Sequence, residues 1–316
     1  MTEKESGIPD ISYGCDELGR LKRVLLHTPG EDELSIIKES NMDYWLFDSI
    51  PDIESFVQEH QSYHALLEDH GVKVHQLREH VEEHQERIKE MPNLTYLHDV
   101  AVISKKGAML SRMRPPGRTD EEVVVKEALN NLDIPILTEF NDGGHIFEGC
   151  LLLSPETILV ANTERHNKAA IEKFTENALK EFEEVIITDI PKARRFMHPD
   201  TIFNRIRPDL ALVYLPAFLQ THVHREDGVE EVDFQNYMKE KEMDLIPVSD
   251  SEQQRLACSF VPLESGTIFH YDDALDASTE QTLAKEGVEI IHFHADALHA
   301  GGGSLRCHTM RLHRKL

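Results

Sequence analysis

The residues best suited to covalent chemistry lie near the C-terminal end, in the segment Gly301–Thr309, where Cys307 follows a run of three glycines. Such a cysteine can serve as a nucleophile, because glycine allows close backbone approach and positive φ angles. The reactive form is the thiolate, which needs a base or a cationic neighbour. Without such a partner Cys307 would be a buried thiol with a packing role.

Three further segments, residues 91–99, 141–149 and 198–204, carry acids and histidines in predicted loops, where a rigid scaffold often holds chemistry. A histidine can act as general acid and then as general base, and a neighbouring carboxylate fixes its orientation. Further carboxylates suit a guanidinium group, which offers five planar donors. Singly, each segment also has a structural explanation as a turn or a solvated loop.

The elements that must position these segments repeat along the chain. Five times a helix-like segment runs directly into a short apolar strand, within residues 53–77, 120–137, 166–190, 231–248 and 278–293. Additional strands are predicted at residues 22–27, 100–104, 151–154, 158–161, 210–214 and 267–271. The pattern predicts an α/β fold of five strand–helix–strand units, although an ordinary α/β sheet alternates in the same way.

Composition limits the domain count, the partners and the compartment. The 316 residues are 40% apolar and contain no Ser/Pro-rich linker, which predicts one catalytic domain over residues 1–316 with residues 1–15 as a loose N-terminal extension. A net charge of −25 argues against nucleic acids and anionic membranes as partners, and a homo-oligomer is compatible with the sequence. No membrane-length apolar stretch or signal peptide is evident. Four cysteines without C-x-x-C spacing indicate a reduced, cytoplasmic protein.

Metal chemistry has little support in the sequence. His222 and His224 would face one side of a strand, as would His292 and His294, but neither pair has an identifiable third ligand. The sequence therefore predicts no metal site and no cofactor.

The motifs together resemble the guanidine-modifying superfamily of arginine deiminase, dimethylargininase and the amidinotransferases, and most closely a short arginine deiminase-like protein. Residues 21–30 and 46–51 resemble the opening of bacterial arginine deiminases, and residues 91–99 resemble their Pro-Asn-x-x-Phe-x-x-Asp motif. Residues 146–149 are similar to their Glu-Gly-Gly-Asp motif, and residues 198–203 to their His-x-Asp motif. The resemblance implies a five-bladed α/β propeller, the pentein fold.

The resemblance also implies roles for individual residues. Cys307 would attack the guanidino carbon, His198 would transfer protons, and Glu148 would orient His198. The residues expected to contact the substrate are Asp99 and Asp200 at the guanidinium, Asn93 and Tyr96 beside it, Arg165 at the substrate carboxylate, and Arg112 or Arg118 as a second carboxylate contact. Asp142 is the alternative to Glu148, because Asp142 precedes a double glycine whereas Glu148 has the better spacing to Arg165.

The activity implied is hydrolysis of arginine, or of a related free guanidino compound, to the ureido product and ammonia. The alternatives are an amidinotransferase, a dimethylarginine hydrolase and a non-catalytic guanidino-binding protein. Asp200 favours an unsubstituted guanidinium, since a methylated nitrogen would leave that carboxylate unpaired. The acid that closes the family's Glu-Gly-Gly-Asp motif is absent, and the chain has no room for the extra helical domain of a full bacterial arginine deiminase.

Overall fold

Five separate β-sheets form the framework of this protein, whose computed structural model describes residues 13–15, 18–140 and 143–315. Each sheet contains an antiparallel strand pair, and one strand of that pair continues through a helix into a third, parallel strand. The strands are β1 Arg20–Leu26, β2 Lys73–Gln76, β3 Ala101–Ser104, β4 Gly107–Leu110, β5 Ile136–Thr138, β6 Leu151–Ser154, β7 Thr157–Asn162, β8 Glu184–Asp189, β9 Phe203–Arg207, β10 Leu210–Val213, β11 Gln220–Arg225, β12 Gly228–Val232, β13 Asp244–Pro247, β14 Val261–Glu264, β15 Thr267–Tyr271, β16 Glu289–Phe293 and β17 Met310–Lys315.

The strand orders are β17-β1-β2, β3-β4-β5, β12-β11-β8-β7-β6, β13-β10-β9 and β14-β15-β16. The first of these sheets joins distant parts of the chain, because β17 lies antiparallel to β1. The third sheet is wider than the others, because the hairpin β11–β12 extends it beyond β8.

The helices connect the strands or cover their faces. They are α1 Glu31–Leu34, α2 Met42–Trp45, α3 Ile53–Asp69, α4 Gln85–Ile88, α5 Glu121–Asn131, α6 Lys168–Ala178, α7 Phe234–Glu240, α8 Asp250–Gln254, α9 Ala277–Lys285 and α10 Asp296–Ala300. The five predicted helix–strand pairs are confirmed as α3–β2, α5–β5, α6–β8, α7–β13 and α9–β16. In α3 the residues Phe56, His60, Tyr63 and Leu67 are buried, the i, i+4, i+7 spacing of a core-facing helix.

The N-terminal stretch predicted as a loose extension is described only in part. Residues 1–12 lie outside the described residues. Next to them, the Gly14 N–H donates to the carbonyl of Leu312 at 2.8 Å, and the Cys15 N–H donates to that of Ile103 at 3.2 Å, which ties residues 14 and 15 to β17 and β3. Within the described ranges, no helix is both long and apolar enough to cross a membrane.

Candidate active site

Five segments, one next to each sheet, approach a common point. Four of them lie just ahead of the first strand of their sheet, and the segment that carries Cys307 lies just ahead of β17. Asp99 ends a 3₁₀ turn before β3, Glu148 precedes β6, and Asp200 lies in the 3₁₀ turn before β9. Ser259 precedes β14, and its hydroxyl donates to Asp200. Because five rigid sheets carry these segments, the polar groups have fixed relative positions.

The segments surround a small cavity of about 40 Å³, which is space for a few water molecules. Its lining residues are Leu46, Asn93, Tyr96, Asp99, Arg118, Arg165, Arg194, Met197, His198, Gly302, Gly303 and Cys307. Seven of the residues predicted from the sequence are therefore together in one cavity wall.

The glycine run is required by close contacts, as the sequence predicted. Gly302 has φ +95°, in the left-handed region, and a side chain at Gly303 would overlap the ring of Tyr96. Ser304 then fixes the cysteine, because its Oγ accepts from the Cys307 N–H at 3.2 Å and its hydroxyl donates to Sγ at 3.3 Å. The local sequence thus presents Sγ to the cavity.

The surroundings of Cys307 keep its side chain in the thiol form. Burial, and after it the negative charge of Asp200, raise the pKa of Cys307 to about 12, against the hydrogen bonds from Ser304. The resting protein therefore has a neutral, weakly nucleophilic cysteine at physiological pH. Activation requires a positive charge to arrive beside Sγ.

This pKa predicts slow alkylation of the ligand-free protein. The rate of iodoacetamide labelling at Cys307, followed by mass spectrometry of its peptide, should rise about tenfold per pH unit to about pH 10 without reaching a plateau. A Cys307→Ala variant gives the background from the other cysteines. A rate that levels off near neutral pH would mean that the thiolate is already formed at rest, contrary to this prediction.

His198 is held by a buried carboxylate. Its Nε2 lies 3.2 Å from Oε2 of Glu148, which also accepts from Nη1 of Arg165 at 3.1 Å. Burial would raise the pKa of Glu148, but the hydrogen bond from His198 and the charge of Arg165 outweigh it and lower the pKa to about 2. Glu148 is thus ionised and accepts the Nε2 proton, which leaves Nδ1 of His198 for proton transfer. Pro199 keeps His198 extended, at φ −137° and ψ 158°.

A second histidine, which the sequence did not reveal, bonds to the backbone of Glu148. The Glu148 N–H donates to Nε2 of His166 at 3.2 Å, so that this nitrogen is unprotonated and Nδ1 carries the hydrogen towards Thr163 Oγ1, 3.1 Å away. Burial lowers the pKa of His166 to about 3, which agrees with a neutral ring. His166 therefore positions the backbone of Glu148.

Asp99, a second buried acid of the site, is paired with Arg118. Arg118 forks onto both oxygens of Asp99, with Nη2 3.0 Å from Oδ1, and also donates to the Tyr96 carbonyl at 3.1 Å and from Nε to Glu121 at 2.9 Å. Nε2 of His198 lies 3.6 Å from Oδ2 of Asp99. The buried acids around Arg118 thus occupy its donors on every side.

Asp200 is the acid with spare hydrogen-bonding capacity. It is 1% exposed, its Oδ2 accepts from the Ser259 hydroxyl at 3.2 Å, and Nε of the buried Arg306 lies 3.8 Å from the same oxygen. Its Oδ1 is buried without a hydrogen-bond partner among the described residues, and the same is true of Nδ2 of Asn93 in the cavity wall. Buried polar groups are rarely left unpaired, so this acceptor and this donor are suited to a polar ligand.

One of the predicted site residues, Arg112, is not part of this arrangement. Arg112 follows β4 and does not line the cavity, and its Nη1 pairs with Glu122 of α5 at 2.6 Å instead. The predicted second carboxylate contact is therefore not met by Arg112. Asp142 lies outside the described residues.

Sequence reasoning missed five residues of the site, namely Arg194, His166, Ser304, Ser259 and Arg306. Ser304 adjoins the glycine run and Arg306 adjoins Cys307, so proximity to the motif was the available signal. His166 and Ser259 had no motif of their own. Cys15, Cys150 and Cys258 are buried away from the cavity lining.

A metal ion is poorly suited to the centre of this site. Asp99, Glu148 and His198 offer ligand atoms within 4.8 Å of one another. However, Arg118 pairs with Asp99 and Arg165 pairs with Glu148, so the two carboxylate charges are already neutralised. A divalent cation would have to displace two buried guanidinium groups.

Solved structures of the pentein superfamily share this α/β fold. One is the complex of AgrE with ornithine and NAD+, with a TM-score of 0.72 and 18% identity over 93% of this chain and 39% of the AgrE chain. Another is the product complex of the N-terminal domain of ArgZ, an arginine dihydrolase of cyanobacteria, with a TM-score of 0.70 and 17% identity over 92% of this chain and 97% of that domain. The chain thus spans about two fifths of AgrE and nearly all of the ArgZ domain.

The family follows from the sequence match. Residues 78–314 match the model of the arginine deiminase family, and the chain belongs to that family. It is 23% identical to arginine deiminase 1 of Staphylococcus epidermidis, over 95% of this chain and 97% of that protein. That alignment runs over 402 residues, more than the 316 of this chain, so long segments of the relative have no counterpart here.

Proposed function

We propose that this protein is a metal-independent hydrolase that deiminates arginine, or a close guanidino compound, to the ureido product and ammonia. The observation that carries the proposal is the buried Oδ1 of Asp200, which has no hydrogen-bond partner among the described residues and lies beside the Cys307 thiol. An N–H of a guanidinium would satisfy this acceptor and would bring the electrophilic carbon next to Sγ. Asp99 retains lone pairs beyond those used by Arg118 and would accept from a second nitrogen.

The cationic substrate supplies what the resting cysteine lacks. Burial and the charge of Asp200 hold Cys307 as a thiol, and a bound guanidinium opposes both causes because its positive charge favours the thiolate. The nucleophile is therefore formed only when a cation is present. This arrangement protects Cys307 from unrelated electrophiles and selects cationic substrates.

The chemistry then proceeds in two halves. The Cys307 thiol gives its proton to His198, and Sγ forms a bond to the guanidino carbon. The bond from that carbon to one terminal nitrogen breaks as His198 gives the proton to that nitrogen, which leaves as ammonia. A water molecule next gives a proton to His198 and adds as hydroxide to the thiouronium carbon. The C–S bond breaks, the hydroxyl proton is released to solvent as the ureido carbonyl forms, and His198 returns its proton to Sγ. Glu148 stabilises the protonated form of His198 throughout.

The other end of the substrate would meet Arg165, while Asn93 and Tyr96 shape the pocket beside the guanidinium. Arg165 uses Nη1 for Glu148, and among the described residues its Nη2 has only the sulfur of Met197, 4.0 Å away, as a weak acceptor. This second nitrogen is therefore suited to a substrate carboxylate.

The product assay tests the function directly. Ammonia and ureido product should appear from L-arginine without any acceptor, and Cys307→Ala serves as the blank. A guanidino product that appears only when glycine or ornithine is added would instead establish an amidinotransferase. The absence of both products would overturn the proposed reaction.

The proposed role of Glu148 predicts a defect in proton transfer. Glu148→Gln keeps the shape but removes the charge that holds the His198 imidazolium, so kcat should fall roughly 10- to 100-fold with little change in KM. Asp142→Asn, the matched change at the alternative acid, should retain kcat. Steady-state assays of both variants decide the assignment, which fails if only Asp142→Asn is impaired.

We further propose that the five sheets are blades of one five-bladed propeller and that residues 1–316 act as a single catalytic domain. The support is the recurring strand order and the meeting of the segments ahead of β3, β9 and β17 at one cavity, where the segments ahead of β6 and β14 contact His198 and Asp200. We also propose a cytoplasmic location. Its support is that all four cysteines are free, as expected in a reducing compartment.

A further inference from the structure

Three hydrogen bonds fasten the segment that carries Cys307 to the segment that carries Asp99. They run from the Tyr96 hydroxyl to the Gly301 carbonyl at 3.1 Å, from the His98 N–H to the Cys307 carbonyl at 3.1 Å, and from Nδ1 of His308 to the Thr95 carbonyl at 3.1 Å. Because the nucleophile and the acid belong to the two joined segments, these bonds determine where Sγ lies relative to the Asp99 carboxylate.

The contacts of His308 define its tautomer. Its Nδ1 lies 3.1 Å from the Thr95 carbonyl oxygen and 3.0 Å from Thr95 Oγ1. A carbonyl oxygen can only accept, so Nδ1 carries the hydrogen and Nε2 is unprotonated. Burial lowers the pKa of His308 to about 3, which agrees with a neutral ring at physiological pH. His308 is therefore a fixed donor to the segment that carries Asp99.

The rest of the His308 ring is packed among other rings. Its centroid lies 4.9 Å from that of Tyr96, 6.0 Å from that of Phe56 and 5.2 Å from that of His60. The side chain is fully buried, and Nε2 has no hydrogen-bond partner among the described residues. A buried acceptor without a partner destabilises the folded state, and an aliphatic side chain would avoid that loss. The bond from Nδ1 is thus what distinguishes histidine from an apolar residue at this position.

Helix α3 holds the His308 ring in this orientation. Phe56 and His60 are one turn apart on its buried face, and their rings meet that of His308 at interplanar angles of 68° and 78°. Nδ1 of His60 lies 3.0 Å from Thr28 Oγ1, which fixes the His60 ring in turn. The helix that leads into β2 therefore supports the residue next to the nucleophile.

We propose that His308 is a positioning residue for Cys307, and that its bond to Thr95 sets the distance between Sγ and the Asp99 carboxylate. The inference rests on the proposed function, because it concerns the attack of Sγ on a guanidinium carbon held by the acids of the site. His308 follows Cys307 directly, while Thr95 ends one 3₁₀ turn and Asp99 ends the next. Misplacement of a reacting atom by about 1 Å can lower a rate about 100-fold.

His308→Leu tests this role in the full-length protein, because leucine fills a similar volume without a donor. In single turnovers with L-arginine, the rate of thiouronium formation should fall about 10- to 100-fold. The arginine concentration that gives half the maximal rate should change less than about threefold, since no group that contacts the guanidinium is removed. The adduct is counted by mass spectrometry after an acid quench. His308→Met gives the same comparison with an unbranched side chain, should the leucine variant not fold.

His308→Asn is the conservative counterpart. The side-chain amide nitrogen of asparagine can take the place of Nδ1 and donate to the Thr95 carbonyl, so adduct formation should stay within about threefold of wild type. The smaller side chain leaves a cavity, so the thermal midpoint should fall at least as far as in His308→Leu. The variant with the lower or equal stability would then be the more active one, which a purely structural role of His308 does not allow.

His27 provides the matched control, because it is a second fully buried histidine with a hydrogen-bond partner. Its Nε2 lies 2.7 Å from Oε2 of Glu33, and it does not line the cavity. His27→Leu should therefore lower the thermal midpoint and leave the rate of adduct formation unchanged.

A wild-type rate of adduct formation in His308→Leu would show that the bond to Thr95 does not position the nucleophile, and the proposal would fail. Equal losses in His308→Leu and His308→Asn would overturn it as well, because asparagine keeps the donor. The same loss in His27→Leu would assign the effect to packing, which also contradicts the proposal. If the wild type forms neither adduct nor ureido product from L-arginine, the proposed function itself fails, and the positioning role fails with it.

Discussion

Replacing Cys307 by alanine is expected to lower turnover of L-arginine by at least about 10⁴-fold, down to the background of the assay. Among the described residues that line the cavity, Cys307 is the one thiol or aliphatic hydroxyl, and the nearby Ser304 uses its hydroxyl and its Oγ lone pair on Cys307 itself. The measurement is ureido product formed per enzyme, with the thermal midpoint recorded in parallel. The midpoint should change little, since one small side chain next to a cavity is removed.

Cys15→Ala provides the matched cysteine control. Cys15 is 3% exposed and packs in a different hydrophobic cluster, against Val102 and Phe147. This variant should lose some stability and keep its turnover number. Full activity in Cys307→Ala would contradict the covalent mechanism, whereas a loss of turnover in both variants would indicate a general effect of cysteine replacement.

His198→Ala is expected to lower kcat by about 10²- to 10⁴-fold, because both halves of the reaction need a group that gives and then takes a proton. The variant also leaves the buried charge of Glu148 with Arg165 as its one remaining side-chain partner, so the protein should be less stable. Single-turnover experiments can separate the halves. A thiouronium adduct that forms slowly and then persists would show that both steps depend on His198.

The strand β11 offers a matched histidine. His222 is a partly exposed residue of β11, 3.9 Å from Glu231, and its replacement by alanine should not affect turnover. Normal kcat in His198→Ala would rule out His198 as the proton-transfer group. Imidazole added to that variant should restore part of the activity if the missing function is proton transfer rather than structure.

The repeated helix–strand units were predictable because each is encoded locally. In α6, for example, Ile171, Phe174 and Ala178 recur at helical spacing, and the apolar strand β8 follows within a few residues. The hairpin β11–β12 was less evident, since four of the five residues of β12 are exposed and give no alternating apolar signal. An edge strand with little buried surface is defined by its hydrogen bonds to β11 rather than by composition.

The charged residues at the centre of the site were predictable from the sequence, but the residues that hold them in place were not. Asp99, Glu148, His198 and Cys307 belong to recognisable motifs, and the structure brings them together. The bond from Ser259 to Asp200 joins residues 59 positions apart, and the contact of Arg194 with Leu46 joins residues 148 apart. Such pairs depend on how the sheets are arranged around the cavity, which no local pattern records. The left-handed conformation of Leu46, φ 60°, is likewise imposed by the surrounding contacts.

The origin of the polar groups in five separate segments has a consequence for how such a protein can change during evolution. A substitution ahead of β14 alters the support of one acid, and a substitution ahead of β6 alters the partner of the histidine, while the other segments stay anchored to their own sheets. The residues that each segment contributes to the site can therefore change by substitution while the five sheets stay the same. A fold of this kind is well suited to give rise to related enzymes that keep the cysteine and differ in the acceptor or in the far end of the substrate.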